Sequence, residues 1–242
     1  MTSIDALTSQ LVALGVRPGD VVMTHASLRR LGPVERGARG VIEAQRAAVG
    51  PAGTLTMVLC ASEDVPFDAH TTPVDVEDMG WLAEVFRTTP GVEVNDHAAD
   101  RFAAIGPAAG HLLHPPLVHH YHGPGSVLDR FTAAGGRVLR LGANPDTVTL
   151  THYAEYLAAV PNKIHARRRY VRADTGEQWI DSLDDTDGIA VWEHGDYFPR
   201  IFLDYRASGR ARIGRVGQVD AELLDAPDFV GFAVAWMNAN LG

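Results

Sequence analysis

The feature that most narrows what this chain can fold into is a change of hydrophobic period within its first sixty residues. Ile4, Leu7, Leu11 and Leu14 recur at intervals of three, four and three, one face of a helix. Ser3 is placed to cap that helix and Gly15 to end it. Arg17-Pro18-Gly19-Asp20 is turn chemistry, after which Val21, Val22 and Met23 read as a buried strand running into His25. Gly37 to Val49 then reads as a second helix, Gly50-Pro51-Ala52-Gly53 as a turn, and Leu55 to Cys60 as a second strand. A helix–strand–helix–strand order argues for a layered α/β fold.

The pattern continues downstream. Glu63 to Pro73 is acidic, proline-punctuated and reads as a loop, and Asp78 to Thr88 has helical spacing. Phe102 to Ile105 reads as a short strand stopped by Gly106-Pro107, and His111 to Pro124 as a His- and Pro-rich loop. Val127 to Ala134 is a short helix ended by Gly135-Gly136, Arg137 to Leu141 a strand, and Thr147 to Val160 a helix. Arg167 to Arg172 and Gln178 to Ser182 form a hairpin around Asp174-Thr175-Gly176, and Asp228 to Leu241 closes the chain as a helix. With no repeat and no low-complexity linker, residues 1–242 are expected to form one domain.

Charge and cysteine content exclude several classes. Thirty acidic side chains against 21 Lys and Arg give a formal charge of −9, which argues against a nucleic-acid binder and suits a cationic small molecule. The single cysteine, Cys60, rules out an internal disulfide and a cysteine zinc site, and its apolar surroundings suit a buried strand thiol better than a nucleophile. The N-terminus lacks a basic segment followed by an apolar stretch, and no apolar run approaches the ~20 residues of a membrane span. The expectation is a soluble, cytoplasmic protein.

Few segments carry chemistry by themselves. His152 and Glu155 stand three apart in the Thr147–Val160 helix and share a face. A carboxylate there would fix the imidazole tautomer and raise its basicity, as a general base requires. The same spacing also arises in surface pairs without a role. His25-Ala26-Ser27 follows a strand, at the end where α/β sheets tend to bind ligands. Leu31 to Gly37 leads into a helix but lacks the Lys-Ser/Thr of a P-loop, and no GxGxxG or GxSxG element occurs. His119-His120-Tyr121-His122 lacks the one-face spacing of a helical metal site, so no metal is expected. The acids Glu63-Asp64 and Asp184-Asp185 with Asp187 read either as solvated loops or as an anionic wall.

Several segments, kept in order over nearly the whole chain, carry a family likeness. They are Leu14-Gly15-Val16, Gly19-Asp20, Met23 with His25-Ala26-Ser27-Leu28, Gly32-Pro33-Val34-Glu35, Ala47 to Pro51 and Gly53-Thr54. Ala104 to Pro107 and Gly125-Ser126-Val127 follow, then Leu141 to Asn144, Val148-Thr149, His152 to Glu155, Pro161-Asn162-Lys163, Val216-Gly217 and Asp225 to Val230. On these the chain resembles the aminoglycoside 3-N-acetyltransferases, the antibiotic N-acetyltransferase family distinct from GNAT enzymes. It departs at Asn95-Asp96-His97-Ala98, where the family shows Ser-x-His-Pro, and at Gln218-Val219-Asp220. It is also shorter than several members, which suggests a differently shaped acceptor pocket.

The resemblance implies an α/β/α single domain with a central mixed sheet. It implies acetyl transfer from acetyl-CoA to the 3-amino group of a deoxystreptamine aminoglycoside, conferring resistance, with His152 as general base and Glu155 as its orienting partner in a ternary complex. CoA would meet His25, Ser27, Leu28 and Arg29, the backbone of Phe102, Ala103 and Ala104, and Ser126 and Val127. Glu63, Asp64, Asp184, Asp185 and Asp187 would face the cationic acceptor. Two alternatives are a transferase of the same fold acting on another amine, such as an aminophosphonate or a biosynthetic intermediate, and a non-catalytic protein that sequesters antibiotic.

Overall fold

The computed structural model describes residues 1–61 and 65–242. In chain order the elements are α1 (Ile4–Leu14), β1 (Val21–Ala26), α2 (Leu28–Leu31), α3 (Ala38–Val49), β2 (Thr54–Val58), α4 (Trp81–Arg87), β3 (Glu93–Val94), β4 (Phe102–Ile105) and α5 (Ala109–Leu113). They continue with α6 (Val127–Ala133), β5 (Arg137–Leu141), α7 (Leu150–Leu157), β6 (His165–Arg172), β7 (Gly176–Leu183), α8 (Tyr197–Ala207), β8 (Arg212–Val216), β9 (Val219–Asp225) and α9 (Ala226–Asn240).

Seven strands form one mixed sheet in the order β3-β4-β2-β1-β5-β9-β8. The centre is parallel, with Val22 of β1 opposite Leu55 of β2 and Arg137 of β5. The flanks are antiparallel, β4 on β2 and β9 on β5. Successive strand residues face opposite sides, and both sides are covered. Val22, Ala103, Leu139 and Leu223 pack under α1, α3 and α4 with Leu7, Leu11, Val41 and Phe86. Their neighbours Met23, Phe102, Val138 and Leu224 pack under α5 to α9 with Leu112, Phe131, Ile201 and Phe229. The arrangement is therefore α/β/α around a mixed sheet. The β6–β7 hairpin stands apart as a two-stranded ladder, over a small cluster of Phe67, Ala69, Ala98, Tyr121 and Ile180.

The differences from the sequence reading have local causes. The helix expected from Thr147 begins only at Leu150 and ends at Leu157, where Ala158 turns to extended backbone (φ −64, ψ 143) three residues before Pro161. The helix expected from Asp78 begins at Trp81. His111 to Leu113 of the expected loop belong to α5. Helix α8 is absent from the sequence pattern, although Pro199 at its third position sacrifices no helical hydrogen bond. The β8–β9 hairpin is likewise additional to the sequence reading: Val216 pairs with Val219 across a two-residue turn whose first residue, Gly217, has φ 55. The last helix starts at Ala226 rather than Asp228, since the Asp225 side chain accepts from the Asp228 N–H and caps it.

Phe229 is fully buried where α9 meets the sheet. Phe229→Ala is expected to cost about 3–5 kcal/mol of unfolding free energy, read from urea denaturation.

Candidate active site

Strands β1, β2 and β5 run parallel, so their carboxyl ends open on the same edge of the sheet. A cavity of about 870 Å³ lies there. Its wall takes His25 from β1, Ser27 and the α2 residues Leu28, Arg29 and Arg30 from just beyond it, Cys60 from beyond β2, and Ala143 and Asn144 from beyond β5. This is the position at which open α/β sheets bind ligands. His25 is buried, and its Nε2 has no hydrogen-bond partner among the described residues. Burial, helped by the Arg140 charge, pushes its pKa down to about 3, so the ring is neutral. Arg29 and Arg30 are exposed at the rim. Cys60 also faces the cavity, but burial and then the charge of Asp100 push its thiol up to about 12, so it is not a thiolate.

His152 and Glu155 project from α7. His152 Nδ1 lies 3.0 Å from Glu155 Oε2, and the other oxygen, Oε1, accepts from the Tyr197 hydroxyl. Tyr197 in turn accepts from the Ile189 N–H at 2.8 Å. Glu155 is 1% exposed, so these donors replace its water. With Glu155 accepting, Nδ1 of a neutral His152 carries the proton and Nε2 carries the free lone pair. Burial and the Glu155 charge push the Tyr197 phenol well above its usual pKa, which keeps it a donor. Gly188 makes room for this hydroxyl: a Cβ there would sit 2.5 Å from the Tyr197 oxygen.

A second pair lies against the first. The His122 ring stacks on His152 with centroids 4.7 Å apart and planes 10° from parallel, and its Nε2 is 3.0 Å from Asp100 Oδ1. Phe198 flanks the other partner, 4.7 Å from the His152 centroid. Two residues of the Asn95–Ala98 element, the retained His97 and the replaced Asn95, hold the main chain of Asp100. His97 Nδ1 accepts from the Asp100 N–H at 2.7 Å, so its Nε2 carries the proton and donates to Val118 O at 3.1 Å. Asn95 donates to Asp100 O at 3.1 Å and accepts from the Phe102 N–H at 2.7 Å.

On the other side of His152 lies a second cavity of about 560 Å³, which shares His152 and Asp185 with the first. Asp146, Asp187, Asp196, Trp192 and Phe198 also line it, and among the described residues no Lys or Arg does. Asp185 accepts from Tyr121 at 2.5 Å and pairs with Arg168. Burial raises its pKa, but Tyr121, His122, His152 and Arg168 together hold it below the usual range. Asp184 is turned away, accepting from the Thr186 N–H at 3.0 Å and pairing with Arg168 at 2.7 Å. Glu63 and Asp64 lie outside the described residues. Spacing within the sequence gave no hint of Asp100, Asp146, Asp196 or Tyr197.

The structure brings only part of the expected CoA set to the larger cavity. Phe102, Ala103 and Ala104 are fully buried inside the sheet. Strand β4 runs antiparallel to β2, so the end facing the cavity is its beginning, and Ala99 and Asp100 line the wall instead. Ser126 is also buried, and its hydroxyl accepts from the Asp129 N–H to cap α6; Val127 packs in the core. Behind the wall, buried Arg140 donates to the carbonyls of Ala143 (3.1 Å), Asn144 (2.9 Å) and Thr147 (3.3 Å) and lies 3.6 Å over the Phe202 ring.

Residues 23–238 match the family described as aminoglycoside 3-N-acetyltransferase. Aminoglycoside N(3)-acetyltransferase III of Serratia marcescens is 34% identical, covering 100% of this chain and 99% of that protein. The match spans 268 positions, more than the residues present here, so the relative carries insertions that this chain lacks. AAC-IIIb in its binary form with CoASH superposes with a TM-score of 0.94 at 33% identity, over 100% of this chain and 98% of that one. AAC-VIa bound to sisomicin gives 0.90 at 33% identity, over 98% and 97%. The chain belongs to the aminoglycoside 3-N-acetyltransferase family and is an acyltransferase enzyme. Among the described residues no helix is long and apolar enough to cross a membrane.

Two measurements check this geometry. Ser126→Ala should cost about 1 kcal/mol of stability through the lost cap, with KM for acetyl-CoA unchanged. His25 takes up a proton in the unfolded chain near pH 6.5 but resists it when folded. Stability should therefore fall as pH drops from about 6.5 toward 3, and chemical denaturation across that range should show a smaller loss in His25→Gln.

Proposed function

We propose that this chain, acting as one domain over residues 1–242, transfers the acetyl group of acetyl-CoA to the 3-amino group of a 2-deoxystreptamine aminoglycoside within a ternary complex. One observation carries the reading: His152, whose Nδ1 is held by Glu155, lines both cavities. The larger cavity suits the CoA arm, with exposed Arg29 and Arg30 for phosphate and the unpartnered His25 Nε2 for a polar group of the pantetheine. CoASH in the similar AAC-IIIb supports this assignment. The smaller cavity, walled by carboxylates and the Trp192 ring, suits a polycationic sugar, and sisomicin in AAC-VIa supports that.

Acetyl-CoA supplies an activated acyl group as a thioester. An ammonium has no lone pair with which to attack it, so His152 Nε2 accepts the proton from the acceptor nitrogen. The Glu155 carboxylate stabilises the imidazolium that results, and Tyr197 holds Glu155 in place. Asp185, touching both cavities, keeps its charge and attracts the cationic acceptor toward His152.

Thiol release from acetyl-CoA across a panel of aminoglycosides tests the whole reading. His152→Ala should lower kcat by about 10²–10⁴-fold while CoA affinity, measured by calorimetry, stays near that of the parent. Antibiotic binding without thiol release would indicate sequestration, and neither binding nor release would indicate a different amine. Near-normal turnover in folded His152→Ala would remove the histidine from the role of base.

A further inference from the structure

The acetyl-transfer reading leaves one large side chain in the wall of the larger cavity without a task, that of Trp81. Trp81 is 60% exposed against 47% for Trp179, while Trp192 and Trp236 are half-buried. The other three indoles have partners. Trp192 and Trp236 pack edge to face with centroids 5.3 Å apart, and the Arg167 guanidinium lies 5.5 Å from the Trp179 centroid. Helix α4, which Trp81 begins, packs on the sheet through Leu82, Ala83 and Phe86. Its first residue thus keeps a flat apolar ring at the cavity wall with most of its surface open.

The segment that carries the ring is held in place. The Asp75 N–H donates to Cys60 O at 2.9 Å, and the Asp75 carboxylate accepts from the Glu77 N–H at 3.0 Å. Met79 and Gly80 then close a helical turn by donating to Asp75 O and Val76 O. Gly80 passes beside the end of β1, where a Cβ built on it would lie 3.7 Å from Ala26 O. Arg29 and Arg30 follow Ala26 by three and four positions and are exposed on the same cavity. Arg30 is anchored there, its Nη1 donating to Gly142 O at 2.9 Å. Among the described residues, His152 and Asp185 are the part of this wall that also borders the smaller cavity. The ring and the two guanidinium groups belong to the part that does not.

We infer that Trp81 is the platform on which the adenine of CoA stacks, with Arg29 and Arg30 taking the phosphates. The inference rests on the donor assignment of the larger cavity made above. CoA carries its thioester at one end and a phosphorylated adenosine at the other. With the thioester beside His152, the nucleotide falls to residues that line the larger cavity alone. A purine offers a π face to any flat aromatic ring, and a ring fixed beforehand costs little ordering on binding. Charge then sorts the base from the phosphates. Glu77 and Asp78 line the wall next to Trp81 and repel phosphate, whereas a carboxylate can accept from the exocyclic amine of adenine. Arg29 and Arg30 present the donors that phosphate needs.

Calorimetry on the full-length protein tests this with two probes: CoA, and 4′-phosphopantetheine, which keeps the thiol arm and lacks the adenosine. The parent should bind CoA the more tightly, and equal affinity overturns the proposal. Trp81→Ala should weaken CoA by about 5–150-fold and leave 4′-phosphopantetheine unchanged. Trp81→Phe keeps a ring and should fall between the Ala variant and the parent. Parent-like CoA affinity in Trp81→Ala overturns the platform, and so does an equal loss for both probes, which marks a change in the shape of the wall. Steady-state kinetics with acetyl-CoA and sisomicin should show KM rising for the donor in Trp81→Ala. A raised KM for sisomicin with an unchanged KM for acetyl-CoA overturns the proposal by placing the ring at the acceptor. Parent-like CoA binding in Trp81→Ala with normal thiol release rejects the platform alone. Adenine-dependent CoA binding without thiol release on any aminoglycoside rejects acetyl transfer alone, and CoA that fails to bind the parent overturns both.

Discussion

A carboxylate as enclosed as that of Glu155 must be supplied with donors or surrender its charge. Supplying them organises much of the surrounding structure. One donor is His152, from the preceding turn of the same helix, and the other is Tyr197, the first residue of α8. Tyr197 can reach Glu155 because Asp196 caps α8 at that point, and because Gly188 offers no side chain in the way. The Ile189 N–H fills the remaining acceptor site of the phenol. Helix α7, the start of α8 and the loop between β7 and α8 are thereby tied to one buried negative charge. The orientation of His152 follows from it, and so does the way one imidazole comes to border two cavities.

The sheet supplies the other constraint, direction. Ligand-facing positions gather where β1, β2 and β5 end together, and an antiparallel neighbour contributes to the same edge with its first residues instead of its last. This explains what the sequence could and could not reveal. The α1 and β1 patterns were legible because hydrophobic period is local. The His152–Glu155 pair was legible because three residues on a helix define a face. Phe-Ala-Ala-Ile at 102–105 announces a strand but carries no mark of its direction; Phe102, Ala103 and Ala104, which the family resemblance implies as CoA partners, lie inside the sheet, while Ala99 and Asp100 line the cavity.

Contacts between distant segments were hidden for a similar reason. Tyr197 lies 42 residues from Glu155 and His122 lies 22 from Asp100, and nothing in the intervening sequence links them. The Asn95–Ala98 element departs from the family pattern in one dimension at Asn95 and Ala98, yet in three Asn95 joins the retained His97 in holding Asp100. Asp184 shows the converse: its acidic neighbourhood suggested a ligand wall, while its oxygens are occupied by Arg168 and its own loop. Helix α8 and the β8–β9 hairpin were within reach of local signals, in Asp196 as a cap and Gly217 at the turn, but their strands and faces are short and polar-interrupted.

Arg140 grips the segment beyond β5 entirely through main-chain oxygens, those of Ala143, Asn144 and Thr147. Every residue type presents the same carbonyl, so this grip is indifferent to which side chains the segment carries. The wall of the larger cavity can therefore change its lining by mutation and still inherit its shape. A lineage gains from this a place where new chemistry can be tried on a frame that does not drift.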